Sequence, residues 1–335
     1  MNGSRSPARV AAGSVLAGAC LVAVAMAVPR GEGSTFPAPR SVLQSVPQAP
    51  SPSRGTLPVV AEHRYRIAAK IRPLVLFWIG RDNVGGARIR WRRGDQDARG
   101  YDLLIGSDPA RAPRHVNRWG FILEEAHPGG ATVVGVMKQS NEESLDEAKS
   151  HVAGEARGGV VFKMIQATVD QAKSVANVTI ATLPRDYSYR ELGPLIEVLS
   201  KEPAPPKVRT TPVPPGGRIG LVTGIAELLH DAVESVKRTG KAPGKKSVAY
   251  AYYEKQYDVT RASSAIETNV TYGGVAYPKL LKSDFDVRAR GESWVESFTV
   301  IFGIDGRMAE VPVFVTYQPR WWFKVEMVLD EREVF

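Results

Sequence analysis

From residue 247 to residue 330 the chain is almost wholly apolar–polar alternation broken by short turns, and no other stretch constrains the fold as strongly. SVAYAYYEKQYDVTRA leads into a Gly273-Gly274 turn. VAYPKLLKSDFDVRARG and ESFTVIFGIDGRMAEVPVFVTY follow, with Asp305-Gly306 in a hairpin position, and WWFKVEMVLD closes the series. Successive side chains of a strand point to opposite faces, so alternating runs joined by short turns dictate an antiparallel sheet with one apolar face. About five consecutive strands are expected here. In the last of them Trp321, Phe323, Val325, Met327 and Leu329 share one face, and Trp322, Lys324, Glu326 and Asp330 share the other. Phe298, Val300 and Phe302, and then Val311, Val313, Val315 and Tyr317, supply matching apolar rows. Trp321 is therefore expected in the core.

The first half carries further strand signals. YRIAAKIRPLVLFWIG (65–80) is interrupted by Pro73, as an edge or bulge would be. In 83–94, Ala87, Ile89 and Trp91 alternate with Arg88, Arg90 and Arg92. YDLLIG, WGFILEE, TVVGVMK, GVVFKMIQATV and SVANVTIATL continue the pattern. A short helix is expected over 140–154, with Ser140 and Glu143 at capping-box spacing, and another from Pro194 to about Ser200. The strongest helix signal is 221–239, where Val222, Ile225, Leu229, Ala232 and Val236 form a stripe. Acids are read as sitting early, with Lys237 and Arg238 late, and Gly240 ends it. EPAPPKVRTTPVPPGG (202–217) reads as a Pro-rich crossing or a domain boundary. The expected fold is a β-rich α+β domain over 61–335: a mainly antiparallel, strongly curled sheet or open barrel, with one long packed helix and shorter ones.

The N-terminus reads as an address. MNGSRSPARV has arginines and no acid, the following run to Ala27 is apolar or small, and Ala25-Met26-Ala27 fits a signal-peptidase site. Residues 1–27 are thus expected to be a signal peptide, and the protein exported, either periplasmic or secreted. The runner-up is an uncleaved anchor, against which the shortness of the run argues. Residues 28–60 are Pro- and Ser-rich and read as a flexible tether. The single cysteine, Cys20, lies within the leader, so an exported domain uses neither disulfides nor thiols. Loss of Arg5 and Arg9 with the leader lowers the formal charge from +9 to +7. This bias favours anionic surfaces and is too weak to suggest nucleic acid. An outer-membrane barrel is disfavoured, because Glu331 and Glu333 alternate back from Phe335 where lipid-facing residues belong.

The chain lacks a Gly-x-Ser-x-Gly elbow and a phosphate loop, and its histidines have no metal-ligand spacing, so neither cofactor nor metal is expected. Asp284 and Asp286 share a strand face with Lys282, Arg288 and Arg290, as a solvated charged stripe does. The stretch 102–125 gathers Asp102, His115 and Glu124, the weak candidates for acid–base chemistry. Arg88, Arg90, Arg92 and Arg93 would either contact an anionic surface or protect an exposed edge.

Tyr65-Arg66-Ile67, Val84-Gly85-Gly86-Ala87, ESFTVIFGIDGR, Val311-Pro312-Val313 and WWFKVEMVLD together resemble bacterial exported families filed as domains of unknown function. That resemblance covers mainly 62–92 and 247–330. It implies a sheet curled like those of lipocalins and lipoprotein carriers, and it brings no functional residue. The resulting expectation is a non-enzymatic envelope protein binding an apolar or amphipathic ligand, such as a lipid, or a partner protein. Its cavity would be lined by Phe77, Trp91, Phe298 and Trp321. The alternatives are a cell-envelope hydrolase using His115 with the acids of 102–125, and a structural adaptor without a pocket.

Overall fold

The computed structural model describes residues 57–72, 78–95, 97–112, 115–128, 130–138, 160–170, 172–183, 185–201, 207–215, 217, 220–252 and 255–330. The leader, the tether up to residue 56, the helix expected over 140–154 and Phe77 lie outside them.

Among the described residues, one antiparallel sheet contains fourteen strands. The first half supplies β1 (Val59–Ile71), β2 (Ile79–Arg93), β3 (Arg99–Ser107), β4 (Trp119–His127), β5 (Gly130–Lys138), β6 (Val160–Val169), β7 (Lys173–Leu183) and β8 (Lys207–Pro212). The second half supplies β9 (Lys246–Tyr252), β10 (Lys255–Tyr272), β11 (Val275–Ala289), β12 (Glu296–Gly303), β13 (Pro312–Arg320) and β14 (Phe323–Leu329). Each half is a meander of sequential neighbours, and the two are fused where β1 pairs with β14, Tyr65 opposite Leu329 and Ile71 opposite Phe323. The remaining edges, β8 and β9, approach each other, and Gln256 Nε2 of β10 donates to the Pro212 carbonyl of β8 at 2.9 Å. The result is a nearly closed barrel.

Among the described residues two α-helices accompany it: α1 (Leu192–Lys201) and α2 (Leu221–Thr239). On α2, Leu228, Ala232, Val233 and Val236 are buried against both halves of the sheet, in one cluster with Ile122, Val133, Ile165, Val178, Val259 and Val287. The helix therefore fills the concave side. Its buried stripe is rotated from the expected one: Leu228 and Val233 are deep, whereas Val222 and Ile225 are half-buried. On the convex side, Tyr189, Leu192 and Leu195 pack over Trp119, Phe121, Phe162 and Met164 of β4 and β6.

Several expectations are corrected. SVAYAYYEKQYDVTRA is two strands, β9 and β10, so the second half has six. KVRTTP within the Pro-rich crossing forms β8, where its β-branched residues pair with β7 and Pro212 sits at the strand end. Helix α1 begins at Leu192 because Pro194 falls in its first turn, where a missing N–H leaves no broken bond. Ahead of that helix the Ser188 N–H donates to the Glu191 carboxylate at 3.0 Å. β2 is no edge, since it pairs with β1 and β3, so its arginines protect no free strand. The row Phe298, Val300 and Phe302 is buried as expected. The row on β13 divides at a register shift between Ile301 and Phe302: Val313 packs outward with Leu280 and Ile301, and Tyr317 packs inward.

Trp321 is the sharpest correction. Arg320 pairs with Phe323, which leaves Trp321 and Trp322 as a two-residue turn. Strand alternation starts only after that turn, so Phe323 is 1% exposed and Trp321 is 58% exposed.

Candidate functional site

The cavity of interest lies between the inner face of β1–β3 and helix α2 and has a volume of about 220 Å³. Two cross-strand pairs of the β2–β3 ladder build one wall. Trp91 faces Tyr101, and two pairs nearer the strand ends Arg93 faces Arg99. Alternation puts Ile89, Trp91 and Arg93 on the same face, so the aromatic pair sits inside and the arginine pair at the exposed mouth. Trp91 is held edge-on by His63 of β1, with ring centroids 5.7 Å apart. Val222, Ile225 and Leu229 of α2 form the opposite wall. His230 and Glu310 complete the mouth, with His230 Nδ1 2.6 Å from the Glu310 carboxylate. Burial pushes the Tyr101 hydroxyl above its usual range, and the Arg99 charge opposes that shift.

Arg93 and Arg99 stand directly across the ladder with no ion pair among the described residues. Like charges directly opposed cost stability, and an anion between them would relieve that cost. The arrangement pairs an apolar pocket with a rim where two facing arginines outnumber one carboxylate, Glu310, which is itself held by His230, and this fits a small amphipathic anion.

Helix α2 is positioned over this cavity by Glu124. The carboxylate is fully buried and accepts hydrogen bonds from the N–H groups of Thr223 (2.7 Å) and Val222 (3.2 Å) and from Thr223 Oγ1 (2.8 Å). The N-cap residue is Gly220 and the first turn holds no acid, so β4 supplies the capping anion that the local sequence omits. Gly220 is required by proximity: a Cβ there would lie 2.2 Å from Glu124 Oε1. Burial pushes the Glu124 carboxyl above its ordinary value, against the downward pull of the bonds from Thr223, Val222 and Leu221. Midway along the helix Arg261 of β10, nearly fully buried, donates to the Leu228 carbonyl at 2.7 Å and to Asp231 at 2.8 Å.

The three acid–base candidates do not converge. Glu124 is on the inner face, capping α2. Asp102 is on the outer face, where Arg92 Nε donates to its Oδ2 at 3.0 Å. Burial raises the Asp102 carboxyl, with Arg90 and Arg92 opposing. His115 belongs to the loop after β3, where among the described residues its ring bonds only the Pro109 carbonyl, at 2.9 Å. The carboxylate contact that a hydrolase centred on His115 requires is missing from these partners. Among the described residues no group of histidine, cysteine and acidic side chains could hold a metal. Of the other expected cavity residues, Trp91 lines the cavity, Phe298 is stacked on Phe285 in the core at 5.3 Å, and Trp321 is in the exposed turn. Arg90 and Arg92 are engaged by Glu62 and Asp102. Arg88 lies on the same convex face, its charge held down first by burial and then by Arg90. Asp284 accepts from Ser263 (2.6 Å) and Thr299 (2.7 Å), as a solvated stripe does. Sequence reading missed Arg93–Arg99 as a facing pair and Glu124 as a cap. A long amphipathic helix opening on glycine with no acid in its first turn was the available signal for the second.

Fold and site together define a helix-filled, nearly closed antiparallel barrel domain with a small pocket at one rim. No family model matches the chain, and no curated protein matches it. Among solved structures it is similar to the crystal structure of a beta-barrel-like protein of domain of unknown function DUF1849 from Brucella abortus, at 9% identity and a TM-score of 0.41, covering 82% of this chain and 98% of that one.

Proposed function

We propose that this protein is an exported, non-enzymatic envelope domain that binds a small amphipathic anion between α2 and β1–β3. The facing arginines Arg93 and Arg99 at the mouth of the Trp91–Tyr101 pocket carry this reading. The pocket is smaller than the common range for drug-sized ligands, so the occupant is a short acyl chain or a single ring bearing one anionic group. The leader-like residues 1–27 support export.

Titration with octanoate, with octanol as the neutral control, tests the assignment through tryptophan fluorescence and calorimetry. Octanoate is expected to bind and octanol to bind far more weakly. Trp91→Phe should remove the fluorescence change, and Arg93→Gln or Arg99→Gln should each weaken binding about tenfold, as loss of a charge-assisted hydrogen bond does. Equal binding of both probes, or of neither, would overturn it.

A further inference from the structure

We propose that the rim opposite the pocket, where β1 ends, β2 begins and β13 turns into β14, docks on an anionic lipid bilayer. The pocket uses Val60 and Trp91, and this rim uses Ile71 and Ile79, at the other ends of the same two strands. Val60 and Ile71 are eleven residues apart on β1, about 36 Å at strand rise. The two surfaces are therefore distinct, and the inference does not depend on the ligand assigned to the pocket.

Among the described residues three apolar side chains at this rim are open to water: Trp321 at 58%, Ile79 at 48% and Ile71 at 43% exposure. They come from two strand ends and the neighbouring β13–β14 turn, which are tied together, since Ile71 pairs with both Phe323 and Ile79 and the Arg72 N–H donates to the Trp322 carbonyl at 2.8 Å. Cations surround them. Arg72, Arg81 and Arg320 make no ion pair among the described residues. Lys70 and Lys324 share the single carboxylate of Glu326, at 2.7 and 2.8 Å, and Lys324 lies 5.3 Å from the Trp78 ring. Five cations thus face two carboxylates, Glu326 and Asp82. The next turn of the rim is more acidic, but Glu292 and Glu296 there are held by Lys255 and by the Tyr317 hydroxyl.

The chemistry selects the partner. Trp321 sits exposed in a two-residue turn, with Arg320 before it and Lys324 after it. A bilayer interface accepts both groups at once, the indole at headgroup depth and the cations against anionic lipid. A protein groove would have to desolvate the unpaired arginines. The Trp321 exposure that removes this residue from the core also equips it for that contact.

The test uses the exported full chain with vesicles of phosphatidylcholine containing about one third phosphatidylglycerol, some made with brominated acyl chains. Quenching of tryptophan by bromine reads the tip itself, and is insensitive to any retained N-terminal anchor. Wild type should be quenched, and Trp321→Phe should lose most of the effect. Trp321→Ala should weaken binding about tenfold, from the lost apolar contact. Arg320→Gln should weaken it about fivefold at low salt, the worth of one basic residue near such a surface. High salt should remove the arginine effect. Ile180→Ser, another exposed apolar residue but on β7, serves as the control that leaves binding unchanged. Absence of quenching, or equal quenching in wild type and Trp321→Phe, would overturn the proposal, and a rim that recognises only protein would give the first of these.

Discussion

Trp321 and Phe323 stand two residues apart, on the same parity, with opposite fates. Parity counts only inside a strand, and the turn closes at Phe323, so the second ring is the first to be driven inward. The energetic contrast follows. Phe323→Ala removes a fully buried ring from the cluster of Tyr65, Ile67, Val325 and Met327, and should cost about 3–5 kcal/mol in chemical denaturation. Trp321→Ala should stay within about 0.5 kcal/mol of wild type, because an exposed turn residue contributes little to the native core. Comparable losses at the two positions would place Trp321 in the core after all.

At the scale of elements, α2 is a helix completed from outside. It has the amphipathic stripe and the left-handed Gly240 C-cap, but its N-terminal N–H groups are met by Glu124, about one hundred residues earlier in the chain. Replacing Glu124 by Ala leaves those donors buried and should cost about 1–3 kcal/mol. Glu124 also makes stability depend on pH. Its carboxyl is raised above the unfolded value of about 4.5, so over the window above that value the native state holds a proton that the unfolded chain has released. This contribution is full below pH 4.5 and is lost as pH rises through the folded value. Denaturation midpoints at pH 5 and pH 8 should differ less in Glu124→Gln than in wild type. Asp102 is shifted the same way and keeps its own share in both proteins, so the difference isolates Glu124.

The whole molecule is closed by its ends. β1 and β14, the first and last strands of the described chain, pair with each other, and they hold two meanders in one sheet. The convex surface there is a ladder of charge: Arg66 with Asp330, Lys70 and Lys324 with Glu326, Arg64 and Arg90 with Glu62, Arg92 with Asp102. A membrane-spanning barrel would present an apolar band in that position. Separation of 57–217 from 218–335 would expose β1 and β14 as long unpaired edges and strip α2 from half of its core. Each fragment alone is expected to aggregate, and the two co-expressed are expected to reassemble. The intact chain should unfold in a single denaturant transition with coincident fluorescence and circular dichroism. Two separated transitions, or a soluble folded half, would contradict this account of closure.

Local pattern alone determined most of the strands, the antiparallel sense, the packed helix and its Gly240 stop, because alternation, helical spacing and turn chemistry act over a few residues. The fusion of two meanders through β1 and β14, the turn that puts Trp321 in water, the Glu124 cap and the facing of Arg93 with Arg99 were decided by the tertiary structure. Each depends on which residues meet across the sheet. A one-residue change of register would exchange every such partner while leaving the local pattern the same.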